Sequence, residues 1–319
     1  MTCIIGAGIT GLSALLLLQE SGADMSQVTV IDPYFDGGDL ARKWTAVISN
    51  TPWSKTIDAL NTTCQSLKLE PHSNTTKLVD IAHLLRKLTS GLKFKRVQGV
   101  VSKASYSSET QTWTLDVGVT AKRLIFAQGS EPKQMDISVP SIPLEIALDS
   151  NRIQHFIKPG DKALVFGTMH SGTLVIRNLV SAGAQVAAYY NSPEPFYWAR
   201  DGAYDGIKEE AAAIADDIVA GNIPVELVHV KDTSKVIRTS HSADWVVYAM
   251  GFQPRTITTL VDGVDKSCIP YDGKTGRLEI PAAWGFGIAY PNAAPDGNWD
   301  VSVAAFLEHM KQQIPDILS

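Results

Sequence analysis

The chain begins with Thr2-Cys3-Ile4-Ile5-Gly6-Ala7-Gly8-Ile9-Thr10-Gly11, which runs directly into an apolar segment from Leu12 to Leu18. A short strand, a Gly-x-Gly-x-x-Gly turn and a helix follow one another in the order that a dinucleotide-binding βα turn requires. In such a turn the first glycine permits the bend, the second lets the backbone approach a pyrophosphate, and the third lets the helix pack closely. The helix N-terminus favours the negative charge of a diphosphate. The stretch therefore predicts a dinucleotide site formed by Gly6, Gly8, Ile9, Thr10 and Gly11.

A second predicted strand strengthens this interpretation. Residues Gln27 to Ile31 are strand-like and lead into Asp32, which follows the glycines at about the 20-residue distance of the ribose-binding acid in Rossmann units. An acid at this place accepts hydrogen bonds from ribose hydroxyls. The alternative is that the glycines only shape a βα turn and that Asp32 only caps the strand.

The same order of elements recurs later in the chain. Lys162 to Phe166 reads as a strand, Gly167 to Gly172 as a glycine turn, Thr173 to Gly183 as a helix, and Gln185 to Tyr190 as a further strand. This repetition predicts a second Rossmann unit.

The second glycine turn departs from the pattern at its middle position, where Met169 replaces glycine. A side chain there obstructs the approach of the backbone to a pyrophosphate. Gly167, His170 and Ser171 are nevertheless candidate contacts for a nicotinamide cofactor, although His170 could equally be a simple neighbour of the helix cap. No acid or arginine ends the following strand, so the choice between NADH and NADPH stays open.

Two segments of the form Ala-x-Gly-x-x-Pro, Ala127 to Pro132 and Ala249 to Pro254, each follow a buried strand. In each segment the glycine turns the chain out of a nucleotide domain and the proline stiffens the link. Alternating residues within Glu109 to Val117 predict a small antiparallel β excursion. The expected fold is α/β, with two Rossmann-like dinucleotide-binding domains and the second inserted in the first. The expected bounds are 1–135, 150–250 and a return segment at 255–319.

Composition excludes several other classes. The net charge of −5 gives no basic excess for nucleic-acid binding. Leu12 to Leu18 is far shorter than the roughly 20 residues of a membrane span. The three cysteines are far apart and show no metal-ligand or disulfide pattern. We therefore expect no metal site, no nucleic acid or membrane partner, and a reducing, cytoplasmic setting, while a homo-oligomer stays open.

The glycines with Asp32, the paired Ala-x-Gly-x-x-Pro segments and the altered second turn together resemble the two-dinucleotide-binding-domain flavoproteins. This group includes thioredoxin-reductase-like enzymes and flavin-containing monooxygenases, and the resemblance covers nearly the whole chain. It implies FAD at the first site. The glycine pair Gly37-Gly38, then Trp44, then the turn Ser49 to Pro52 is similar to the monooxygenase branch, in which these elements lie beside the isoalloxazine.

The resemblance implies particular residues at the cofactor. Asn50 is the catalytic candidate, because its amide could hydrogen-bond activated oxygen at the flavin or a bound nicotinamide; the alternative is a turn asparagine before Pro52. Trp44 either packs on the flavin or belongs to the core, and Asp300 either contacts FAD or caps the last helix. The remaining residues assigned to the cofactor are Gly38, Val100, Ala127 and Gly129.

The departures from the family separate three hypotheses. No redox-active dithiol is present, which excludes disulfide exchange on a Cys-x-x-Cys of this chain, and Met169 weakens the nicotinamide site. We expect an FAD-dependent oxidoreductase, most like a single-component monooxygenase that uses NAD(P)H and acts on a small molecule. The alternatives are a flavoprotein reductase or oxidase that takes electrons from its substrate or a partner, and a non-catalytic flavin-binding protein.

Overall fold

The computed structural model describes residues 1–70, 76–199, 206–293 and 299–319. The chain divides into two compact units. Unit 1 comprises Met1–Glu131 and Pro254–Ser319, and unit 2 comprises Pro132–Gln253. The second unit is thus an insertion in the first, and it also holds residues 132–149, which the sequence-based bounds left outside the insertion.

The elements have the following bounds in the described residues. The strands are β1 Thr2–Ile5, β2 Val28–Asp32, β3 Lys95–Gln98, β4 Lys103–Ser107, β5 Thr112–Leu115, β6 Val119–Ala121, β7 Arg123–Phe126, β8 Ser130–Pro132, β9 Lys162–Phe166, β10 Gln185–Tyr190, β11 Glu226–His229, β12 Trp245–Tyr248, β13 Phe252–Pro254, β14 Thr258–Val261, β15 Val264–Asp265, β16 Ala283–Gly285, β17 Asn292–Ala293 and β18 Trp299–Asp300. The α-helices are α1 Ile9–Glu20, α2 Asp39–Arg42, α3 Trp53–Thr63, α4 Leu78–Thr89, α5 Leu144–Ala147, α6 Ser150–Ile153, α7 His170–Ser181, α8 Glu209–Val219, α9 Thr233–His241 and α10 Val303–Leu318.

The main sheet of unit 1 is parallel and has the strand order β16-β7-β1-β2-β3. Every residue of β1 and β2 is buried, as expected for parallel strands covered on both faces. One face packs against apolar side chains of α1, α3 and α10, including Leu15, Leu60 and Leu307. This arrangement brings the carboxyl ends of β1, β2 and β7 to one edge, where ligands bind in open α/β sheets.

The other face of this sheet packs on the β excursion. The excursion is larger than the sequence predicted, because β14 and β15 of the return segment join β4, β5 and β6 in one five-stranded sheet. β14 pairs with β4 in parallel, while β4, β5 and β6 pair antiparallel. Trp113 is fully buried against Phe126 of the main sheet, with ring centroids 6.5 Å apart. The return segment therefore closes unit 1 at two places, through β14 and through β16.

Unit 2 contains a parallel sheet of order β11-β10-β9-β12. Val165, Ala188 and Val246 are fully buried along it, and α7 packs on β9 and β10. The expected α/β fold with two Rossmann-like units is confirmed. Two helices begin earlier than the sequence predicted: α1 at Ile9 and α7 at His170, because each glycine turn enters its helix directly.

Candidate functional site

The first and third glycines of the first turn are required by the fold itself. Gly6 has φ +104°, and a Cβ atom on it would lie 2.3 Å from the carbonyl oxygen of Ala127 on the neighbouring strand. A Cβ atom on Gly11 would lie 1.9 Å from the carbonyl oxygen of Gly6. Both distances are far below van der Waals contact, so only glycine lets strand, turn and helix approach this closely.

Gly8 differs from both, because nothing in the protein requires a glycine there. Its backbone is extended, with φ −73° and ψ −171°, a conformation that any residue adopts. The nearest atom to a Cβ on Gly8 would be the Cα atom of Gly38, 3.9 Å away. The missing side chain therefore leaves open space at the start of α1, whose N-terminus has no side-chain cap and no acid in its first turn. Free N–H groups beside open space are what a phosphate requires.

Two further loops reach the same place. Gly37 forms a parallel bridge with Gly8, and a Cβ on Gly38, which has φ +75°, would lie 2.8 Å from the Cα of Gly8. Gly287, with φ +83°, follows β16, and its Cβ would lie 2.2 Å from the Oγ1 atom of Thr10. Two separate segments thus meet the first glycine turn, each with a glycine at the contact.

Asp32 ties the first turn to the end of β2. Its side chain is 6% exposed; Oδ2 accepts a hydrogen bond from the N–H of Ala7 at 2.7 Å, and Oδ1 accepts from the N–H groups of Tyr34 and Phe35 at 2.8 Å each. A carboxylate offers about four acceptor positions, so a ribose hydroxyl could still be accepted. Asp32 therefore shapes the nucleotide loop in addition to its predicted role with the ribose.

Two large apolar side chains are exposed at the ends of neighbouring strands. Tyr34, after β2, is 62% exposed and Val100, after β3, is 68% exposed. The guanidinium of Arg42 lies 3.9 Å from the centroid of the Tyr34 ring. Because β2 and β3 are parallel neighbours, both side chains lie at the same edge of the sheet as Asp32. This edge therefore carries exposed apolar surface, and the role of Val100 at the cofactor stays a prediction.

The segment after β7 is held by an arginine of the return segment. Ala127 contacts Gly6 as described, and Gly129 has φ +71° with the Nη1 atom of Arg255 3.1 Å from its Cβ position. Arg255 donates from Nη1 to the carbonyl oxygen of Gln128 at 2.9 Å and forms an ion pair with Asp39 at the start of α2. Arg255 therefore joins the predicted cofactor residues after β7 to the loop that carries Gly38.

The second glycine turn repeats the geometry of the first around a different middle residue. A Cβ on Gly167, at φ +107°, would lie 2.3 Å from the carbonyl oxygen of Ala249, and a Cβ on Gly172 would lie 2.0 Å from that of Gly167. Met169 occupies the position that corresponds to Gly8, and its side chain is 42% exposed. The scaffold for a pyrophosphate is thus complete in unit 2, but a thioether side chain extends from the place where the phosphate would lie.

His170 and Ser171 begin α7. The Nδ1 atom of His170 is buried and has no hydrogen-bond partner among the described residues. Burial lowers the pKa of His170, Lys208 lowers it further, and Glu210 opposes the shift. The imidazole is therefore neutral at pH 7 and presents no fixed positive charge to a phosphate. The roles assigned to His170 and Ser171 stay predictions.

The remaining predicted residues lie in three other places. Asn50 is exposed in the turn before α3, where the hydroxyl of Ser49 hydrogen-bonds both backbone groups of Thr51 at 3.1 Å. Trp44 is buried. Asp300 lies on β18 and accepts a hydrogen bond from the N–H of Ser302 at 2.8 Å. The roles of these residues at a flavin stay predictions.

The alternative role of Asp300, as the cap of the last helix, is wrong. α10 begins at Val303, and the Oγ atom of Ser302 caps it by accepting from the N–H of Ala305 at 3.1 Å. The pairing of β17 with β18 keeps Asp300 in extended backbone, and the cap falls two residues later.

Comparison with known proteins gives a consistent picture, although no family model matches the chain. The monooxygenase AgnR1 of Paecilomyces divaricatus is 25% identical, over 97% of this chain and 94% of that protein. The bacillithiol disulfide reductase of Staphylococcus aureus superposes with a TM-score of 0.65 at 14% identity, covering 99% of this chain and 97% of that one. OTEMO, solved in complex with FAD and NADP, superposes with a TM-score of 0.62 at 14% identity, covering 99% and 85% of the chains.

The chain has the two-dinucleotide-binding-domain flavoprotein fold. Within this flavoprotein fold, sequence reasoning located the first glycine turn, Asp32 and Gly38, but missed Gly287, Tyr34 and the Arg255–Asp39 pair. The sequence segment around Gly287 contained a usable signal, because it places a glycine directly after the last strand of the sheet. Nothing in the sequence marks Arg255 as a partner of Asp39.

The described part of this flavoprotein fold contains no group of three or more His, Cys, Asp or Glu side chains arranged to hold a metal ion. In the same residues, no helix is both long and apolar enough to cross a membrane.

Proposed function

We propose that this protein is an FAD-dependent oxidoreductase, most like a single-component monooxygenase that takes electrons from NAD(P)H and oxidises a small molecule. The observation that carries the proposal is the open space at Gly8, a glycine that the protein's own contacts do not require. The relative named as a monooxygenase spans nearly the full length of both chains, and the structural neighbours include FAD-binding proteins. These comparisons bear out the expectation of a flavin-dependent oxidoreductase.

Different residues at the first turn bind different parts of FAD. The N–H groups at the start of α1 and the space at Gly8 hold the diphosphate, Asp32 accepts from the ribose, and Tyr34 with Val100 offers surface for the adenine. FAD itself supplies the redox chemistry. The loops at Gly38 and Gly287 bring backbone groups to the same N-terminus. The chain's own contribution is to bind and orient the cofactor in a partly enclosed place.

The test exploits the difference between Gly8 and the other glycines of the turn. We expect Gly8→Leu to fold, because its backbone is extended and the space beside it is open, but to lack flavin, because the side chain fills the diphosphate position. Absorbance of the purified protein near the flavin band measures FAD content, and circular dichroism measures folding. The matched control is Gly91→Leu, at an exposed glycine with open space around its Cβ position, which should keep about one FAD per chain.

A Gly8→Leu protein that folds and keeps a full complement of FAD would remove the support for this site. Loss of FAD from both variants would point to a general defect instead.

The second candidate function is a flavoprotein reductase or oxidase whose electrons come from its substrate or from a partner. The exposed side chain of Met169 in the second turn favours this candidate. Anaerobic bleaching of the flavin separates the two: saturable bleaching by NADH or NADPH supports the monooxygenase, and no bleaching by either supports the second candidate. A protein whose flavin no substrate or partner reduces would be the non-catalytic flavin-binding alternative.

The setting of the protein is a further part of the proposal. We propose a reducing, cytoplasmic location, a small-molecule substrate and no nucleic acid partner; a homo-oligomer stays open. The three cysteines are free, and burial raises the pKa of Cys3 to about 12, so this thiol is unreactive. Thiol titration of freshly isolated protein should find every cysteine reduced.

A further inference from the structure

Unit 1 contains a cavity whose lining includes no residue of the glycine turn. Its volume is about 380 Å³, and it lies between the end of β7, the start of β14 and the loop after β15. Small-molecule sites in proteins typically measure about 300–1,000 Å³, with mainly apolar walls and a few polar groups. The cavity is therefore large enough for a small organic molecule of about ten non-hydrogen atoms.

The formal charge on the cavity lining is positive. Among the residues that line it, all within the described chain, Arg255 is the one with a formal charge. Its guanidinium uses Nη1 for the carbonyl oxygen of Gln128 and Nη2 for Asp39. Because a guanidinium has five N–H donors in a planar fork, these two partners leave donors for a ligand.

A phenol lies on the same lining. The hydroxyl oxygen of Tyr290 accepts a hydrogen bond from Nε2 of Gln128 at 3.3 Å, which leaves the phenol proton to donate. Burial raises the pKa of Tyr290, so this proton is present at neutral pH. Arg255, which is also paired with Asp39, and Tyr290 thus retain donors for an anion, and the lining itself contains no acidic side chain.

The rest of the lining is largely apolar. Phe126 and Ile257 are buried side chains of the wall, and Ile269 and Pro270 extend it on the opposite segment. Burial of apolar ligand area against such walls favours binding. The combination selects a molecule with an apolar body and one negative end.

We propose that this cavity binds a small apolar carboxylate. The carboxylate lies toward Arg255 and Tyr290, and the apolar body lies against Phe126, Ile257 and Ile269. The inference goes beyond the proposed function: none of the lining comes from the glycine turns, and the measurement that tests it, labelling of Cys268, does not require the flavin.

A cysteine in the lining allows occupation of the cavity to be measured. Cys268 lines it and is exposed, whereas Cys3 and Cys64 are buried. Alkylation by iodoacetamide should therefore modify Cys268 first, and an occupied cavity should slow it. We expect benzoate to reduce the rate about tenfold when its concentration is about ten times its dissociation constant, since labelling then proceeds through the free protein alone. Benzyl alcohol, which lacks the carboxylate, tests whether the negative charge is required. Formate at equal concentration, which lacks the apolar body, tests whether that body is required and controls for ionic strength.

Two variants at the exposed residue Thr256, which also lines the cavity, test the position of the anion. Thr256→Glu adds a negative charge at the lining and should abolish protection by benzoate. Thr256→Gln, of similar size but neutral, should keep it. Because Thr256 is exposed, both variants should fold, and circular dichroism and flavin content check this in each.

The proposal is overturned if benzoate does not slow labelling, or if formate or benzyl alcohol slows it equally. It is also overturned if folded Thr256→Glu is protected as well as Thr256→Gln. A loss of flavin from the native protein would challenge the proposed function but would leave the labelling result unaffected.

Discussion

Gly8 and Met169 occupy equivalent positions in two glycine turns whose other contacts are nearly the same. In each turn the first and third glycines lie against carbonyl oxygens at distances that exclude a Cβ atom. The middle position differs: Gly8 leaves open space, whereas Met169 carries a side chain that is 42% exposed. The obstruction of the second turn by this side chain stays a prediction.

The first prediction is that NAD(P)H reduces the native protein slowly and that Met169→Gly accelerates flavin bleaching by at least one of the two nucleotides. We expect the rate of bleaching to rise on the order of tenfold, which corresponds to a free energy of about 1.4 kcal/mol. Stopped-flow absorbance under anaerobic conditions measures the rate. Met135→Gly, which removes an exposed methionine elsewhere in unit 2, is the control and should change little. Fast saturable bleaching of the native protein by micromolar NADPH would show that the methionine moves aside.

At the scale of elements, the last helix, α10, packs against the segment that follows β16 and leads to the first glycine turn. His309, 3% exposed, packs its ring against Phe286 with centroids 5.3 Å apart, and Phe286 immediately precedes Gly287 at the first turn. Nε2 of His309 is buried without a partner in the described residues. Burial lowers the pKa of His309, and a backbone hydrogen bond with Lys274 and the charge of Asp272 partly oppose this shift.

The second prediction follows from this lowered pKa. Above the ordinary histidine pKa of about 6.5 the imidazole is neutral in both states, so it adds no pH dependence. As the pH falls below that value, the unfolded chain binds a proton that the native His309 does not, and the free energy of unfolding decreases until the native pKa is reached. Urea unfolding measures the free energy of unfolding at pH 5 and at pH 8. The difference between these two free energies should be smaller for His309→Gln than for the native chain. His155→Gln, at an exposed histidine, is the control, and an unchanged difference in His309→Gln would contradict the assignment.

At the scale of the whole molecule, the insertion leaves and re-enters unit 1 at neighbouring points. Within unit 1, the N–H of Arg255 donates to the carbonyl oxygen of Gly129 at 3.2 Å; within unit 2, the N–H of Lys133 donates to that of Gly251 at 3.0 Å. In each unit, therefore, a backbone hydrogen bond joins the two chain segments that lie beside the junction. The predicted FAD residues all belong to unit 1, whereas Gly167, His170 and Ser171 belong to unit 2.

The third prediction is that a chain in which a short Gly-Ser linker replaces residues 132–253 folds and binds FAD. Unit 1 keeps both of its five-stranded sheets in this chain, and the N–H of Arg255 already bonds the carbonyl oxygen of Gly129 near the two ends to be joined. We expect its FAD dissociation constant to stay within about tenfold of the native value, a change of about 1.4 kcal/mol. Fluorescence titration with FAD measures this, and Gly8→Leu in the shortened chain should abolish binding. A folded shortened chain that does not bind FAD would show that unit 2 supplies part of the flavin site.

The sequence by itself determined the two glycine turns, the strands and helices around them, and Asp32 at the end of β2. These features depend on contacts between near neighbours in the chain and on periodicity, so their spacing is visible in the residues. The need for glycine at Gly11 follows from the turn alone, because a Cβ there would meet the carbonyl oxygen of Gly6, whereas at Gly6 the contact with Ala127 depends on the tertiary structure. The departure from the glycine pattern at Met169 was visible for the same reason.

Only the tertiary structure decided which distant segments meet the first turn. Gly287 reaches Thr10 because β16 pairs with β7 beside β1, and Arg255 reaches Asp39 across 216 residues of sequence. Strand order and side-chain direction set such contacts, and neither is encoded in a local pattern. The cap of α10 at Ser302 was missed for a related reason, since the pairing of β17 with β18 keeps the chain extended past Asp300.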